Sequence, residues 1–195
     1  GDVYKRQGKS LEWKKETEMI GEPRVQPVCA AYDGKLYVWG GFYQNGKSSI
    51  VATSGLRYQL LDKCWNSLPA PRNGEGKELT LTGATAMLAV APDGEPQIIC
   101  AGGVNHDIFW DAISGTYSKV AQADYLKKDI SWYQFNGCPL AYKLKTERWE
   151  ILSPQTPLLA RAGAQVAMRK HTLYYIGGEL KPGLRSPGIV QLDLR

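Results

Sequence analysis

Long apolar runs and histidines are the scarcest features of this sequence. No apolar run approaches the roughly 20 residues that a membrane-spanning helix needs, so we expect no membrane span. The sequence contains only two histidines among 195 residues, which leaves little room for a zinc or copper centre. We therefore expect no metal centre. The four cysteines are scattered without a Cys-x-x-Cys pair, which is more typical of small apolar residues than of a disulfide framework.

Charge of either sign is not massed anywhere in the chain. Lysine and arginine total 24 against 19 acidic residues, which gives a formal net charge of +5. The longest cationic runs are four doublets, at residues 5–6, 14–15, 127–128 and 169–170. Nucleic-acid-binding proteins concentrate positive charge in patches, so we expect no nucleic-acid partner. A small anionic ligand is compatible with this balance.

The first seven residues have a different origin from the rest. Residues 2–7 spell DVYKRQ, which matches the translation of a transposon-end adapter used in shotgun sequencing. We therefore expect residues 1–7 to be an assembly scar and residues 8–195 to be the native domain. With the true start missing, the lack of a signal peptide says nothing about the compartment.

A repeated series of strands is the main signal. Each copy has an apolar strand, a tight turn, and a second apolar strand that ends in Gly-Gly. A loop, a strand with a central Tyr and a strand with a Trp follow. The glycine pairs are residues 40–41, 102–103 and 177–178. The first turn is Asp33-Gly34, a dipeptide that favours positive φ and therefore a hairpin. The segment around Trp13 resembles the last strand of a preceding copy.

Four short strands per copy, none able to bury a face alone, are typical of a β-propeller blade. Glycine pairs followed at similar offsets by Tyr and Trp resemble the kelch repeat. We therefore predict an all-β fold, a kelch-type β-propeller with two full blades and two partial ones. A propeller closes with about four to eight blades, so we expect the chain to be an incomplete piece of a longer protein.

The second copy carries a long interruption. The second glycine and the Trp are 24 residues apart in the first copy and 46 apart in the second. We place a helical insertion at about residues 104–137. Its helix is expected from about Thr116 to Lys128, where apolar residues recur with roughly helical period. A long blade loop is more often functional than accidental, so we expect the insertion to lie over one face of the propeller.

Strand direction should bring the glycine-pair exits, the insertion, and the linkers with Arg72 and Arg161 to one rim, where a ligand pocket can form. The third exit reads GGELKPGLRSP. In it Glu179 follows the glycine pair, and Pro182-Gly183 forces a turn that can bring Arg185 back beside Glu179. The alternative is a solvated loop with a surface ion pair of little energetic value.

Two motifs, GGVNHDIF at residues 102–109 and GGELKPGLRSP at residues 177–187, resemble the N-acetylneuraminate epimerase (sialic acid mutarotase) family of kelch propellers. That family carries a Gly-Gly-Val-Asn loop ahead of a helical insertion and a Gly-Glu-x-Lys-Pro-Gly-x-Arg loop. The resemblance implies that Glu179 and Arg185 are catalytic and that the enzyme is an isomerase. Its substrate would be a small sugar acid, N-acetylneuraminate, whose α and β anomers it interconverts without a cofactor. The resemblance also implies a periplasmic location, and a homodimer is compatible with the sequence.

Other rim residues are candidates for substrate binding: Asn105, His106, Arg72, Arg161 and Lys181. Asn105 would either bind a sugar hydroxyl or satisfy the turn after the glycine pair. His106 departs from the family at its position and is more often a loop histidine than a catalytic one. Arg72 and Arg161 would either contact an anion or cap loops between blades. Four aromatic residues would either stack on the sugar or pack the insertion: Trp110, Trp132, Tyr133 and Phe135.

Two other functions are compatible with a kelch fold. A non-enzymatic propeller would bind a protein or a glycan through its rim, and would not need the carboxylate of Glu179 and the guanidinium of Arg185 there. A copper radical oxidase would need several histidine and tyrosine ligands. That requirement argues against it, because His106 and His171 are expected on opposite faces of the propeller.

Overall fold

A computed structural model describes residues 13–194, so the expected scar at residues 1–7 lies outside the described residues. The strands of the described part form three successive antiparallel sheets and one small separate hairpin. The first sheet, blade 1, has the order β1-β2-β4-β5 with β3 on β2. Its strands are β1 Val25–Tyr32, β2 Lys35–Tyr43, β3 Ile50–Val51, β4 Gly55–Gln59 and β5 Cys64–Leu68.

The second and third sheets repeat this arrangement. Blade 2 has the order β6-β7-β8-β9, with β6 Ala84–Val90, β7 Pro96–Gly102, β8 Leu140–Lys143 and β9 Arg148–Ile151. Blade 3 has three strands in the order β10-β11-β14, and the hairpin β12-β13 interrupts it. The strands are β10 Gln165–Arg169, β11 Thr172–Ile176, β12 Glu179–Lys181, β13 Leu184–Arg185 and β14 Ile189–Asp193.

Local sequence explains the blade geometry. The turn between β1 and β2 has positive φ at both central residues, +47° at Asp33 and +67° at Gly34, as the dipeptide predicts. In blade 1, Tyr58 lies opposite Trp65 with ring centroids 4.9 Å apart. In blade 2, Tyr142 lies opposite Trp149 with centroids 5.2 Å apart. The shared register shows that the Tyr and Trp of each copy form a cross-strand pair.

Apolar residues between neighbouring sheets form the core. One buried cluster joins blades 1 and 2 and is centred on residues such as Trp39, Ile98 and Tyr142. A second joins blades 2 and 3 and includes Ile99 and Tyr175. Each sheet therefore buries its faces against its neighbours, which is how kelch-type blades pack. The described sheets form successive blades and do not close a ring.

Backbone hydrogen bonds near the first strand of each blade connect neighbouring blades. The N–H of Gly83 donates to the carbonyl of Gln26 at 3.0 Å, and the N–H of Gly163 donates to the carbonyl of Gly83 at 2.7 Å. Gly102, with φ of +76°, lies against Tyr175 and the carbonyl oxygen of Arg161, where any side chain would overlap both. Glycine is therefore needed there for close approach between blades as well as for its positive φ.

The insertion is helical, but its main helix is not where the apolar period placed it. The helices are α1 His106–Ile113, α2 Gln122–Tyr125 and a 3-10 helix Ile130–Tyr133. The expected helix over residues 116–128 is wrong, because only the short α2 forms there. Helix α1 forms earlier because the Asn105 side chain caps it, accepting from the N–H groups of Asp107 and Ile108. None of the helices in residues 13–194 is long and apolar enough to cross a membrane.

The expected strand of a preceding copy is also absent from the described residues. Residues 13–24 form no strand, and Trp13 is 98% exposed. A strand needs a neighbour with which to form its ladder, and no strand of residues 13–194 pairs with this segment. The residues between Trp13 and β1 are therefore irregular.

Candidate active site

The hairpin β12-β13 brings Glu179 and Arg185 together. The two residues are paired across the hairpin, and the Arg185 guanidinium donates to Oε1 of Glu179 in an ion pair. The turn between them contains Gly183, which has φ of +84° and donates its N–H to the same Oε1 at 3.0 Å. The Pro182-Gly183 bend thus folds Arg185 back onto Glu179, as the motif predicts.

The base of this hairpin is fixed to the body of blade 3. The N–H of Glu179 donates to the carbonyl of Ala162 at 2.7 Å, and the N–H of Ala162 donates to the carbonyl of Glu179 at 2.9 Å. The Glu179 side chain is 30% exposed and that of Arg185 is 69% exposed. The carboxylate is therefore anchored and half-buried, whereas the guanidinium reaches into solvent.

Two cavities flank the hairpin. One cavity has a volume of about 1040 Å³. It is lined by residues 73, 75 and 77–80, the two ends of the insertion, residues 155, 157 and 160, and Lys181 and Leu184 of the hairpin. Glu179 instead lines a smaller cavity of about 60 Å³. Val104, Asn105 and Phe135 line both cavities. The insertion therefore supplies residues that border both cavities.

His106 and Lys77, which line the large cavity, both contact the carboxylate of Asp107. The Nδ1 atom of His106 lies 2.8 Å from Oδ1 of Asp107, and Lys77 donates to Oδ2 of Asp107 at 2.8 Å. The hydrogen bond from Lys77, followed by that from His106, lowers the pKa of Asp107 to about 2. His106 is thus a cavity residue whose imidazole is oriented by a carboxylate. His171 lies in the turn between β10 and β11, at the end of its sheet that is opposite to the glycine pair at residues 177–178.

Asn105 and Lys181, both candidates for substrate binding, also hold the insertion in place. Besides capping α1, Asn105 donates from Nδ2 to Oε1 of Gln134 at 3.4 Å. The turn-satisfying role is therefore observed for Asn105. The ammonium of Lys181 donates to the carbonyls of Lys128 at 2.6 Å and of Leu126 at 3.2 Å. Both residues line the large cavity.

The two linker arginines differ in their surroundings. Arg161 is 5% exposed and is held by acceptors of the adjoining loops. It donates to the carbonyls of Leu158 and Gly177, both at 2.8 Å, and to the hydroxyl of Ser186 at 3.1 Å. This is the loop-capping alternative, and it leaves the guanidinium buried rather than at the mouth of a cavity. Arg72 is exposed and forms an ion pair with Glu78 at 2.8 Å.

The aromatic residues of the insertion pack against one another and against blade 1. Tyr133 is buried, and its ring makes T-shaped, edge-to-face contacts with those of Trp132 and Phe135. Trp110 donates its indole N–H to the carbonyl of Ser49 at 2.8 Å. Packing therefore accounts for the placement of these four side chains. Tyr133 and Phe135 line the smaller cavity together with Glu179, and Phe135 also lines the larger one.

Asp111 is a structural residue that sequence reasoning missed. Its buried carboxylate accepts from the hydroxyl of Ser118 at 2.7 Å, and from the N–H groups of Ser118 and Lys119 at 2.9 and 3.0 Å. Burial alone would raise the pKa of Asp111, but these hydrogen bonds outweigh it and lower the pKa. The signal in the sequence was an acidic residue inside an otherwise apolar helical segment.

Metal ligands are not grouped in the described part of the chain. Across residues 13–194, no three His, Cys, Asp or Glu side chains stand close enough together to hold a metal ion. All four cysteines are free, and burial raises the pKa of the Cys100 thiol. The candidate site therefore consists of the Glu179–Arg185 hairpin, the cavities beside it and the insertion that walls them.

Sheet order, glycine-pair exits and cross-strand Tyr–Trp pairs define a kelch-type β-propeller fold with a carboxylate–guanidinium pair at its rim. A search of protein families matches residues 3–195 to the family described as N-acetylneuraminate epimerase. The chain belongs to the N-acetylneuraminate epimerase family.

Individual relatives agree with this assignment. The chain is 33% identical to the N-acetylneuraminate epimerase of Haemophilus influenzae (strain PittEE), over 91% of this chain and 47% of that protein. It is 34% identical to that of Pasteurella multocida (strain Pm70), over 91% and 46%. The chain therefore spans about half the length of these curated relatives. A solved structure titled "Structure of YjhT" aligns with a TM-score of 0.77 at 27% identity, over 94% of this chain and 53% of that one.

Proposed function

We propose that this protein is an isomerase that interconverts the α and β anomers of N-acetylneuraminate by opening and closing the sugar ring. The observation that carries the proposal is the Glu179–Arg185 ion pair on one hairpin at the propeller rim. The pair lies on the motif through which the chain resembles its family. The names of its relatives support the same reaction class.

The chemistry needs a group that moves a proton between two oxygens of the substrate. In the proposed reaction the Glu179 carboxylate takes the proton of the anomeric hydroxyl, and the electron pair left behind forms the carbonyl. The bond from the anomeric carbon to the ring oxygen breaks, and the ring oxygen receives the proton from Glu179. Closure on the other carbonyl face reverses these steps and gives the other anomer. One carbon–oxygen bond breaks and re-forms while protons are transferred, with no net change in oxidation state, so the balance needs no redox partner.

Arg185 would hold the carboxylate of the substrate. A guanidinium presents a planar pair of donors that matches a carboxylate in bidentate fashion. Arg185 is 69% exposed, although it is paired with Glu179, so donors on its outer side can meet a ligand. The two side chains would then sit on one sugar acid, with the acid group on Arg185 and the anomeric hydroxyl on Glu179.

The surrounding cavities would receive the rest of the sugar. The larger cavity, of about 1040 Å³, exceeds what one monosaccharide fills and falls at the upper end of ordinary ligand sites. Its lining includes the polar side chains of Asn105 and His106, which suit the hydroxyl and amide groups of a sugar. Arg161 is not part of this proposal, because it is buried and both of its terminal nitrogens donate to loop acceptors.

The test is the rate at which the purified full-length protein equilibrates N-acetylneuraminate anomers, followed by proton NMR after sialidase releases the α anomer. Wild-type protein should equilibrate the anomers faster than the uncatalysed reaction does. In Glu179→Gln the catalysed rate constant should fall roughly 100-fold or more. Glu95→Gln is the matched control. Glu95 forms an ion pair with Lys145, and these side chains are 34% and 73% exposed, close to the values of Glu179 and Arg185.

Equal rates for wild type and Glu179→Gln would remove the catalytic assignment. Tight binding of N-acetylneuraminate without faster equilibration would favour the glycan-binding alternative. A periplasmic location and a homodimer stay predictions. Cell fractionation and sedimentation of the full-length protein test them independently of the rate measurement.

A further inference from the structure

We infer that Lys181 is a positioning residue, which ties the tip of the catalytic hairpin to the insertion and thereby orients the Glu179 carboxylate. The inference rests on the proposed function, and it assigns Lys181 a different role from direct substrate binding. In this role the insertion is a platform that holds the hairpin in place.

The hairpin is anchored at its base but not at its tip. At the base, Glu179 exchanges two backbone hydrogen bonds with Ala162, and Ser186 donates its N–H to the carbonyl of Gly178 at 2.8 Å. The tip consists of residues 181–184. Lys181 pairs with Leu184, but the register of β12 and β13 shifts between Glu179 and Lys181, so the ladder is interrupted between the base and the tip.

Lys181 supplies the tie that the ladder lacks. Its ammonium donates to the carbonyls of Lys128 and Leu126 at 2.6 and 3.2 Å. Leu126 is the C-cap residue of the short helix α2 and Lys128 follows it by two residues, so both acceptors are backbone carbonyls of the insertion where the chain leaves α2. Two of the three ammonium hydrogens are therefore committed to the insertion.

The insertion is itself fixed to other blades, so it can serve as a platform. Trp110 donates to the carbonyl of Ser49 in the loop after β2, at 2.8 Å, and the rings of Phe42 and Phe109 form a T-shaped, edge-to-face contact with centroids 5.1 Å apart. At its far end, Asn136 donates to the carbonyl of Gly102 at 3.2 Å. The platform therefore connects blades 1 and 2 to the hairpin of blade 3.

Movement of the tip would reach the carboxylate directly. The N–H of Gly183, at the tip, donates to Oε1 of Glu179 at 3.0 Å, the same oxygen that Arg185 contacts. Releasing Lys181 would let the turn drift and weaken both contacts. A displacement of about 1 Å at a reacting group is enough to cost about 100-fold in rate.

The test compares Lys181→Met and Lys181→Arg in the full-length protein. Lys181→Met should lower kcat for anomer interconversion about 10- to 100-fold with KM changed less than about twofold, because the substrate still binds while the base is misplaced. Lys181→Arg, which keeps a cation and its donors, should recover most of kcat. Lys127→Met is the matched control, since Lys127 on the same insertion pairs only locally with Asp124 at 2.9 Å.

A second readout does not depend on activity. Amide hydrogen exchange at Gly183 should become at least about 10-fold faster in Lys181→Met and stay unchanged in Lys127→Met. If wild-type protein fails to speed anomer exchange, the proposed function fails, and the amide exchange alone decides whether Lys181 holds the tip. Unchanged exchange at Gly183 would overturn the inference. So would a raised KM with unchanged kcat, or a Lys181→Arg variant as slow as Lys181→Met.

Discussion

The indole N–H of Trp149 donates a 3.1 Å hydrogen bond to the carbonyl oxygen of Pro69, which follows the last strand of the preceding blade. Trp39 of blade 1 donates to the same oxygen, also at 3.1 Å. Pro69 thereby joins the second strand of one blade to the last strand of the next. Trp65 holds the equivalent position to Trp149 in blade 1, and its buried indole N–H has no partner among the described residues.

This difference predicts unequal effects of two identical substitutions. Trp149→Phe removes a hydrogen bond and should lower the free energy of unfolding by about 1 kcal/mol more than Trp65→Phe. Trp65→Phe removes a donor that is unsatisfied among the described residues, so its polar contribution should be neutral or favourable. Urea unfolding followed by fluorescence measures both. Equal losses would show that the Pro69 contact does not tie the blades.

Arg161 and Arg72 should respond differently to replacement by methionine. Arg161→Met strips donors from the buried loop acceptors at Leu158, Gly177 and Ser186, so we expect a loss of about 3 kcal/mol in unfolding free energy. Arg72→Met breaks an exposed ion pair with Glu78 and should cost less than about 1 kcal/mol. Thermal and urea unfolding of both variants provide the comparison. A small loss for Arg161→Met would contradict its loop-capping role.

Asp107 should make stability depend on acid pH. Its folded-state pKa of about 2, set chiefly by the hydrogen bond from Lys77, lies below the ordinary value for aspartate. The unfolded chain therefore takes up the proton first. The contribution is fully present above about pH 4 and is lost as pH falls towards 2.

The measurement is the difference in unfolding free energy between wild type and Asp107→Asn at pH 6, 4 and 2.5. Because the Asp107 side chain is 46% exposed, the difference should be about 1 kcal/mol or less at pH 6 and should shrink at pH 2.5. In a Lys77→Met background the stabilising contribution of Asp107 should be smaller, so Asp107→Asn should lower the free energy of unfolding by less. A difference that grows as pH falls would contradict the assigned direction.

Local chemistry explains which parts of the fold were readable from the sequence. The Asp33-Gly34 turn and the glycine pairs demand positive φ, so they mark strand ends without any knowledge of tertiary contacts. The Pro182-Gly183 bend likewise predicted that Glu179 and Arg185 would meet, and they do. Such features depend on neighbouring residues alone.

Features that depend on distant residues were not readable. The apolar period over residues 116–128 reflects contacts such as Tyr125 with Tyr133, which belong to packing of the insertion rather than to one helix. The surroundings of Arg161 are set by loops up to 27 residues away in the chain. The attachment of Lys181 to carbonyls 53 and 55 residues earlier leaves no mark in the local sequence.

The most direct test of the account is a double-mutant cycle on anomer exchange. Rate constants for N-acetylneuraminate would be measured by two-dimensional exchange NMR for wild type, Glu179→Gln, Arg185→Met and the double variant. If Glu179 and Arg185 act on one substrate as a unit, the double variant should be no slower than Glu179→Gln alone. Independent effects that multiply, or a double variant as fast as wild type, would contradict the central claim.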